Sequence, residues 1–255
     1  FHVSYKLRRT HDFPTREETL EYIETVLDRS IDWLEGRKPN EMEKGVYWLA
    51  AQHEHMHTET LTMVRQTLGY SRPKFEERAV SPDPTFVRRD VEIPGGKYSL
   101  GALKNDAFVL DNERWAHEVE IQPFRIANTP VTNAEYLAFV EDGGYQTRRF
   151  WRKHGFEWRR REGATHPLFW RKSDDGWMQK NFGDEIPLEP NHPVVHVNWY
   201  EARAYCRWAG RRLPTEAEWE LAASGPEKRT FPWGEDMAKP EHANLDWNHL
   251  GVVDV

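Results

Sequence analysis

Cysteine is almost missing from this chain. Its 255 residues include one, Cys206, so an internal disulfide is excluded. The residue lies in segment 199–210, whose pattern is helical, and this context favours a buried thiol with a packing role. A catalytic thiol is the less favoured alternative.

Long apolar runs and an excess of basic residues are also missing. No stretch approaches the roughly 18–20 apolar residues of a membrane span, and no charged-then-apolar leader opens the sequence. The 35 Lys and Arg residues against 42 Asp and Glu give a formal charge of −7, which provides no basic surface for nucleic acid. We therefore expect a cytoplasmic protein with small-molecule partners and with no nucleic-acid or membrane partner.

Tryptophan, by contrast, is abundant, with 12 residues. Most of them should pack in a core or hydrogen-bond through the indole, but aromatic faces also bind quaternary ammonium groups. The chain is long enough for two modest domains, each with its own core.

The first 70 or so residues carry the signals of two long helices. Thr15 and Glu18 form a capping-box pattern, and Asn40 and Glu43 have the same spacing ahead of a second helix that should end at Gly69. Apolar residues recur at helical spacing in the first helix: Leu20, Ile23, Leu27, Ile31 and Leu34. Two amphipathic helices joined by a short polar loop predict a helical bundle over residues 1–72.

The composition changes after this region. Residues 73–90 are rich in proline, serine and charge, which indicates a linker. In 91–255 short strands, expected at 91–94, 98–100 and 119–121, alternate with brief helices whose capping residues are Thr132, Asn198 and Thr215. Between 146 and 193 there is little periodicity, and we expect irregular loops. The fold class predicted is α+β, a helical bundle followed by a mixed domain.

The sharpest chemical signal lies in the second helix. His53 and His57 are one turn apart, the spacing at which two imidazoles can bind one metal ion. His55 points the other way. The two histidines share a helix face with six apolar residues, namely Val46, Leu49, Ala50, Leu61, Val64 and Leu68. The pattern predicts a metal site on a face that turns toward the interior of the bundle.

The histidine pattern also fits structures without a metal. The two histidines could be core residues that hydrogen-bond carbonyls or water, or the helix could be a polar surface helix. A metal site also needs a third ligand, and only His2 and His11 lie elsewhere in this region; we expect the ligand upstream of residue 1. Glu59, off the shared face, is expected to hydrogen-bond a ligand or to contact a neighbouring helix rather than to bind the metal, and Glu54, at the edge of the face, is a further candidate to hydrogen-bond a ligand.

The sequence from His53 to Glu59 resembles the iron-binding motif of the DinB-like (damage-inducible-B-like) helical bundle in ergothioneine-type sulfoxide synthases. Three later segments resemble the formylglycine-generating-enzyme fold, a C-type-lectin-like mixed fold, which follows that bundle in those proteins: residues 108–113, 130–133 and 212–220. The resemblance covers nearly the whole chain, and the motifs occur in the family's order.

The resemblance implies an iron(II) enzyme. In this family three histidines hold the iron, which activates O2 so that a sulfur donor is joined to the imidazole of hercynine (Nα-trimethylhistidine) and the sulfur is oxidised. His53 and His57 carry over as two of the ligands, and the third histidine would lie upstream of Phe1. The family's catalytic tyrosine would follow Val255.

A few positions in the resembling segments bear on the identity of the chalcogen donor. Relatives that use γ-glutamylcysteine carry two arginines three residues apart, at positions taken here by Thr10 and Phe13. Met56, a substrate-site position, stands where some relatives have glutamine. Together with residues 65–69 it is most similar to the branch that makes selenoneine from a selenosugar. We therefore expect a selenosugar or a thiol other than γ-glutamylcysteine.

Three further interpretations complete the prediction. Asn244 and the carbonyl of Leu245 resemble half of a calcium site in the second fold, with a plain structural turn as the alternative. An ovothiol-type synthase, which couples cysteine to a different carbon of unmethylated histidine, is an alternative activity. A metal-free binding module is another, because the second fold also serves ligand recognition.

Overall fold

A computed structural model of the chain describes residues 14–74, 86–106, 108–245 and 247–255. The chain divides into two compact units, 1–59 and 60–255, and the division falls inside the second helix. The expected limits 1–72, 73–90 and 91–255 stay a prediction. The helices and strands of the described residues are α1 (Arg16–Glu35), α2 (Glu41–Leu68), β1 (Asp90–Ile93), β2 (Gly96–Leu100), β3 (His117–Ile121), β4 (Phe124–Ala127), α3 (Asn133–Glu141), α4 (Lys153–Glu162), β5 (Trp170–Ser173), β6 (Gly176–Asn181), β7 (Asp184–Pro187), α5 (Trp199–Trp208) and α6 (Glu216–Ser224).

The two predicted long helices are confirmed, together with their starts. The backbone N–H of Glu18 donates to Thr15 Oγ1 at 3.2 Å, and the N–H of Thr15 donates to the Glu18 carboxylate at 2.7 Å. Asn40 and Glu43 exchange the same pair of bonds ahead of α2, at 2.9 and 2.8 Å. These bonds satisfy N–H groups that a helix leaves without a partner in its first turn.

The apolar faces of these helices are not buried as expected. Trp33 of α1 stacks on Tyr47 of α2 with ring centroids 5.4 Å apart. Among the described residues, however, α1 has no buried side chain and α2 has only Gln66. Leu27 is 56% exposed and Leu49 is 52% exposed, because no described element of this unit covers them. The DinB-like bundle therefore stays a prediction.

The strands of the second unit form small antiparallel sheets. β1 pairs with β4, from Asp90 opposite Ala127 to Ile93 opposite Phe124. β2 pairs with β3, and β5, β6 and β7 form a three-stranded sheet in sequence order. Tyr98 of β2, Ile121 of β3 and Leu221 of α6 form a small apolar cluster. Strands and helices are thus combined in one mixed fold, as the later sequence motifs predicted.

An aromatic core holds α3 and α5 together. Tyr136 of α3 stacks on Tyr205 of α5 with centroids 5.2 Å apart, and Phe139 is fully buried against both Tyr205 and Trp208. Cys206 belongs to this cluster, and burial raises the pKa of its thiol. The structure therefore confirms the prediction of a buried cysteine.

One buried acid is built into the same core. Glu201 is 3% exposed; its carboxylate accepts the Tyr145 hydroxyl at 2.6 Å and the backbone N–H of Asn198 at 2.8 Å. Burial raises the pKa of Glu201 despite these bonds. The acid ties the start of α5 to the aromatic core, which gives this residue a structural role.

The segment expected to be irregular loops contains regular structure. Within 146–193 lie α4, which ends at Gly163 in the left-handed region with φ +62°, and strands β5 to β7. Arg152 precedes α4 without a side-chain cap, and Gly155 lies inside it, so the usual sequence signals of a helix are weak. The prediction of loops was wrong here.

Among the described residues, no helix combines the length and the apolar character that a membrane span requires.

Candidate functional site

The histidine pair of α2 has the predicted spacing. The rings of His53 and His57 lie with centroids 4.4 Å apart and planes at 79° to each other. The helical repeat of 3.6 residues brings them together on one face. Since an imidazole binds a metal through one nitrogen at about 2.0–2.1 Å, rings this close can share one ion.

The surroundings of the pair differ from the expectation. Both histidines are exposed among the described residues, as are Val46 (61%) and Leu61 (63%), which were expected to enclose them. The pattern correctly gave the shared face, but the periodicity of one helix does not supply the element that would cover it.

The other predicted side chains lie on the same helix. Glu54 and Glu59 are exposed, and the Glu54 carbonyl accepts the hydroxyl of Thr58 at 3.0 Å. Met56 is 59% exposed. Their proposed roles beside a metal and a substrate stay predictions, as does the assignment of the two histidines as ligands.

A complete set of three metal-binding groups is not found in the described parts of the chain. His2 and His11, the candidates for a third ligand within the chain, lie outside the described residues, as do Thr10 and Phe13. The two described histidines fit a metal that takes its remaining ligands from other groups, because neutral imidazole binds iron as well as zinc.

The end of α2, in the second unit, makes contacts that were not predicted from the sequence. Gln66 is 8% exposed; its Nε2 donates to the Lys180 carbonyl at 3.0 Å and its Oε1 accepts the Phe182 N–H at 2.6 Å. Gly69 has φ +70°, and an added Cβ would meet the Lys180 ammonium at 3.0 Å. Residues 65–69, whose sequence is similar to one subfamily, therefore have a packing role.

The candidate calcium residues form a turn. The Asn244 amide donates to the Gly251 carbonyl at 2.9 Å and accepts the His249 N–H at 3.1 Å, and the Leu245 carbonyl accepts the N–H of Asn248 at 3.1 Å. These internal bonds favour the structural alternative, and a calcium ion at this turn stays a hypothesis.

Known relatives share much of this sequence. A hercynine oxygenase of Mycolicibacterium thermoresistibile is 39% identical over 237 residues, which are 90% of this chain and 52% of that protein. A formylglycine-generating enzyme of Streptomyces coelicolor is 36% identical over 184 residues, 60% of this chain and 53% of that protein. An inactive C-alpha-formylglycine-generating enzyme 2 of Mus musculus is 37% identical over 179 residues, 64% of this chain and 54% of that protein. The chain spans about half the length of each relative.

The sequence model of the sulfatase-modifying factor enzyme 1-like domain matches residues 76–253. This range contains the aromatic core, all seven described strands and helices α3 to α6. It also contains the three later segments that resembled the formylglycine-generating-enzyme fold. The chain belongs to the family of the sulfatase-modifying factor enzyme 1-like domain.

Proposed function

We propose that this chain is part of an oxidative enzyme acting on hercynine, in which His53 and His57 hold an iron(II) ion that uses O2. The reaction joins a sulfur or selenium donor to the imidazole ring of hercynine. The observation that carries the proposal is the histidine pair, with rings 4.4 Å apart, in a chain 39% identical to a protein named hercynine oxygenase.

The chain's own residues have defined tasks in this proposal. His53 and His57 would hold the ion through neutral imidazole nitrogens, which are suitable ligands for iron(II). Bound iron supplies the one-electron and O2 chemistry that these side chains lack. Glu54 and Glu59 hydrogen-bond ligands and fix their orientation, which strengthens binding without direct contact to the metal.

The donor proposed is a selenosugar, with cysteine-type thiols as the alternative. Met56 supports the selenosugar, since a polarizable thioether suits a soft chalcogen better than an amide does. Residues 65–69 support it less, because Gln66 and Gly69 are explained by their contacts with 180–182. The choice of donor therefore depends on Met56 and on the similarity around it.

Anaerobic titration with iron(II) tests the metal site. We expect one equivalent to bind, and we expect His53→Ala and His57→Ala each to weaken binding at least tenfold. His55→Ala is the matched control, because this exposed histidine lies on the same helix outside the pair. Equal binding by all three variants would exclude the pair as a metal site.

Product analysis tests the reaction. The intact protein that carries this chain is loaded with iron and incubated in air with hercynine and, separately, cysteine, γ-glutamylcysteine or a selenosugar. Mass spectrometry identifies the coupled product, and NMR separates the carbon used here from the one used by an ovothiol-type synthase. Absence of coupling with every donor by an iron-loaded protein would contradict the proposal.

A metal-free binding module is the second candidate. The observation that favours it is the 37% identity to a relative named as an inactive formylglycine-generating enzyme. The iron titration separates the two candidates, because a binding module takes up no stoichiometric iron at the histidine pair.

A further inference from the structure

A cavity of about 210 Å³ lies between the beginning of α4 and one face of α5, from Trp199 to Arg207. Its lining includes three arginines, a histidine and two aromatic side chains: Arg152, His154, Trp199, Tyr200, Arg203 and Arg207. All of them belong to the second unit, far along the sequence from the histidine pair of α2. The proposed iron chemistry does not use this cavity.

The arginines of this cavity form no ion pair with a carboxylate of the described residues. In the described parts of the chain, no carboxylate lies within ion-pair distance of Arg152, Arg203 or Arg207. The Arg203 guanidinium lies 4.4 Å from the centroid of the Trp199 ring, and Arg207 donates to the Phe150 carbonyl at 3.4 Å. Burial lowers the pKa of Arg203, and the charges of Arg152 and Arg207 lower it further.

Other arginines of the same unit are paired. Arg211 contacts Asp90 at 2.8 Å, Arg212 contacts Glu218 at 2.6 Å, and Arg171 contacts Glu185. Three cations around one cavity repel one another unless a counter-charge is present. The three arginines of the cavity therefore have more to gain from an external anion than these paired arginines have.

The backbone favours the same kind of ligand. Arg152 precedes α4 and makes no side-chain capping bond, so the first N–H groups of this ten-residue helix are not capped by the residue that begins it. Gly155 lets the helix start approach α5, because a Cβ there would come within 3.2 Å of the Tyr200 ring. Guanidinium groups and backbone N–H groups together are the donors that bind phosphate in proteins.

We propose that this cavity binds a small oxyanion with two or more negative charges, of the phosphate or phosphate-ester class. The volume is below the roughly 300 Å³ at which drug-sized ligand pockets begin, which favours a small group. A monocarboxylate would neutralise one of the three guanidinium groups and leave the other two opposed. The Trp199 indole, 58% exposed beside the arginines, provides an apolar wall and an optical probe.

Calorimetric titration of the full chain with pyrophosphate tests this site, with no metal added. We expect saturable binding of one anion, and we expect Arg203→Gln and Arg207→Gln each to weaken it about tenfold, as for loss of one charged hydrogen-bond donor. Arg160→Gln is the control, because it removes the same charge from an exposed position of α4 outside the cavity lining. Acetate at matched ionic strength should bind at least tenfold more weakly than pyrophosphate.

Several results would overturn the inference. These are no saturable binding, equal weakening in Arg160→Gln, unchanged binding in Arg207→Gln, or acetate binding as tight as that of pyrophosphate. Circular dichroism verifies that each variant is folded; if Arg203→Gln is not, the exposed Arg207 decides the result alone. Because iron is absent from the titration, its outcome is independent of the proposed oxidative reaction.

Discussion

The two units of this chain use the same local signals with opposite results for burial. In unit 1–59, α1 has 20 residues and a complete capping box, yet none of its side chains is buried. In unit 60–255, α3 has 9 residues, and four of its side chains are buried. A helix of nine residues is marginal in water by itself, so its stability comes from packing. Capping locates both helices, but it does not distinguish an exposed helix from a packed one.

The largest difference between the two units is expected when one large side chain is removed from each. Phe139→Ala should lower the free energy of unfolding of the second unit by about 3–5 kcal/mol, because it leaves a cavity in a fully buried aromatic cluster. Leu27→Ala in α1 should cost about 0.5 kcal/mol or less, since the leucine is 56% exposed. Native-state hydrogen exchange measures the two units separately. A large loss of protection in the Leu27 variant would mean that its apolar face is covered in solution.

A second comparison lies within α2 itself, whose two ends belong to different units. Gln66→Ala should destabilise the second unit by about 2–3 kcal/mol, because the Lys180 carbonyl and the Phe182 N–H lose their buried partner. Gln52→Ala is the matched control, since this exposed glutamine occupies the same helix. Urea unfolding, monitored by labelling of the buried Cys206 thiol, measures the stability of the second unit. Equal midpoints for the two variants would exclude a structural role for Gln66.

Much of the fold was predictable from short-range patterns. The pairs Thr15–Glu18 and Thr132–Glu135 marked helix starts that the structure has at the same positions, because a capping box is made by residues three apart. Helix α4 was missed because Arg152 provides no side-chain cap at its start. Its end is marked only by the left-handed conformation of Gly163. The contacts of Gln66 join residues more than 110 positions apart, and no local pattern reports such a pair.

The candidate site was predictable to a similar depth. Spacing alone placed His53 and His57 on one face with rings in contact, because helix geometry fixes neighbours at four residues. Their environment could not be derived in this way, since burial depends on elements distant in sequence. The arginines beside Trp199 were also missed, because they come from the start of α4 and from α5, and residues 163–198 lie between these helices.

The smallest expected change in stability concerns a capping box that occurs in both units. Thr15–Glu18 starts α1 and Thr215–Glu218 starts α6, each with bonds in both directions. Glu18 is exposed, whereas Glu218 is 7% exposed and also accepts two bonds from Arg212, both at 2.6 Å. The Arg212 hydrogen bonds hold the pKa of Glu218 at about 2, whereas the pKa of Glu18 is lowered by its bonds with Thr15 alone.

This difference predicts a dependence of stability on pH. Because the folded-state pKa of Glu218 lies below its unfolded value near 4.5, its ionised form stabilises the fold above that pH, and the contribution disappears as pH falls toward 2. Glu218→Gln should therefore lower the free energy of unfolding by about 1–2 kcal/mol at pH 7. This value is small because solvent screens the exposed Arg212 partner. The gap between variant and wild type should close between pH 4.5 and 2. Urea unfolding at a series of pH values measures it, with Glu18→Gln as the control that should leave the stability of the second unit unchanged. A gap for Glu218→Gln that stays constant down to pH 2 would show that the loss comes from packing rather than from the charge.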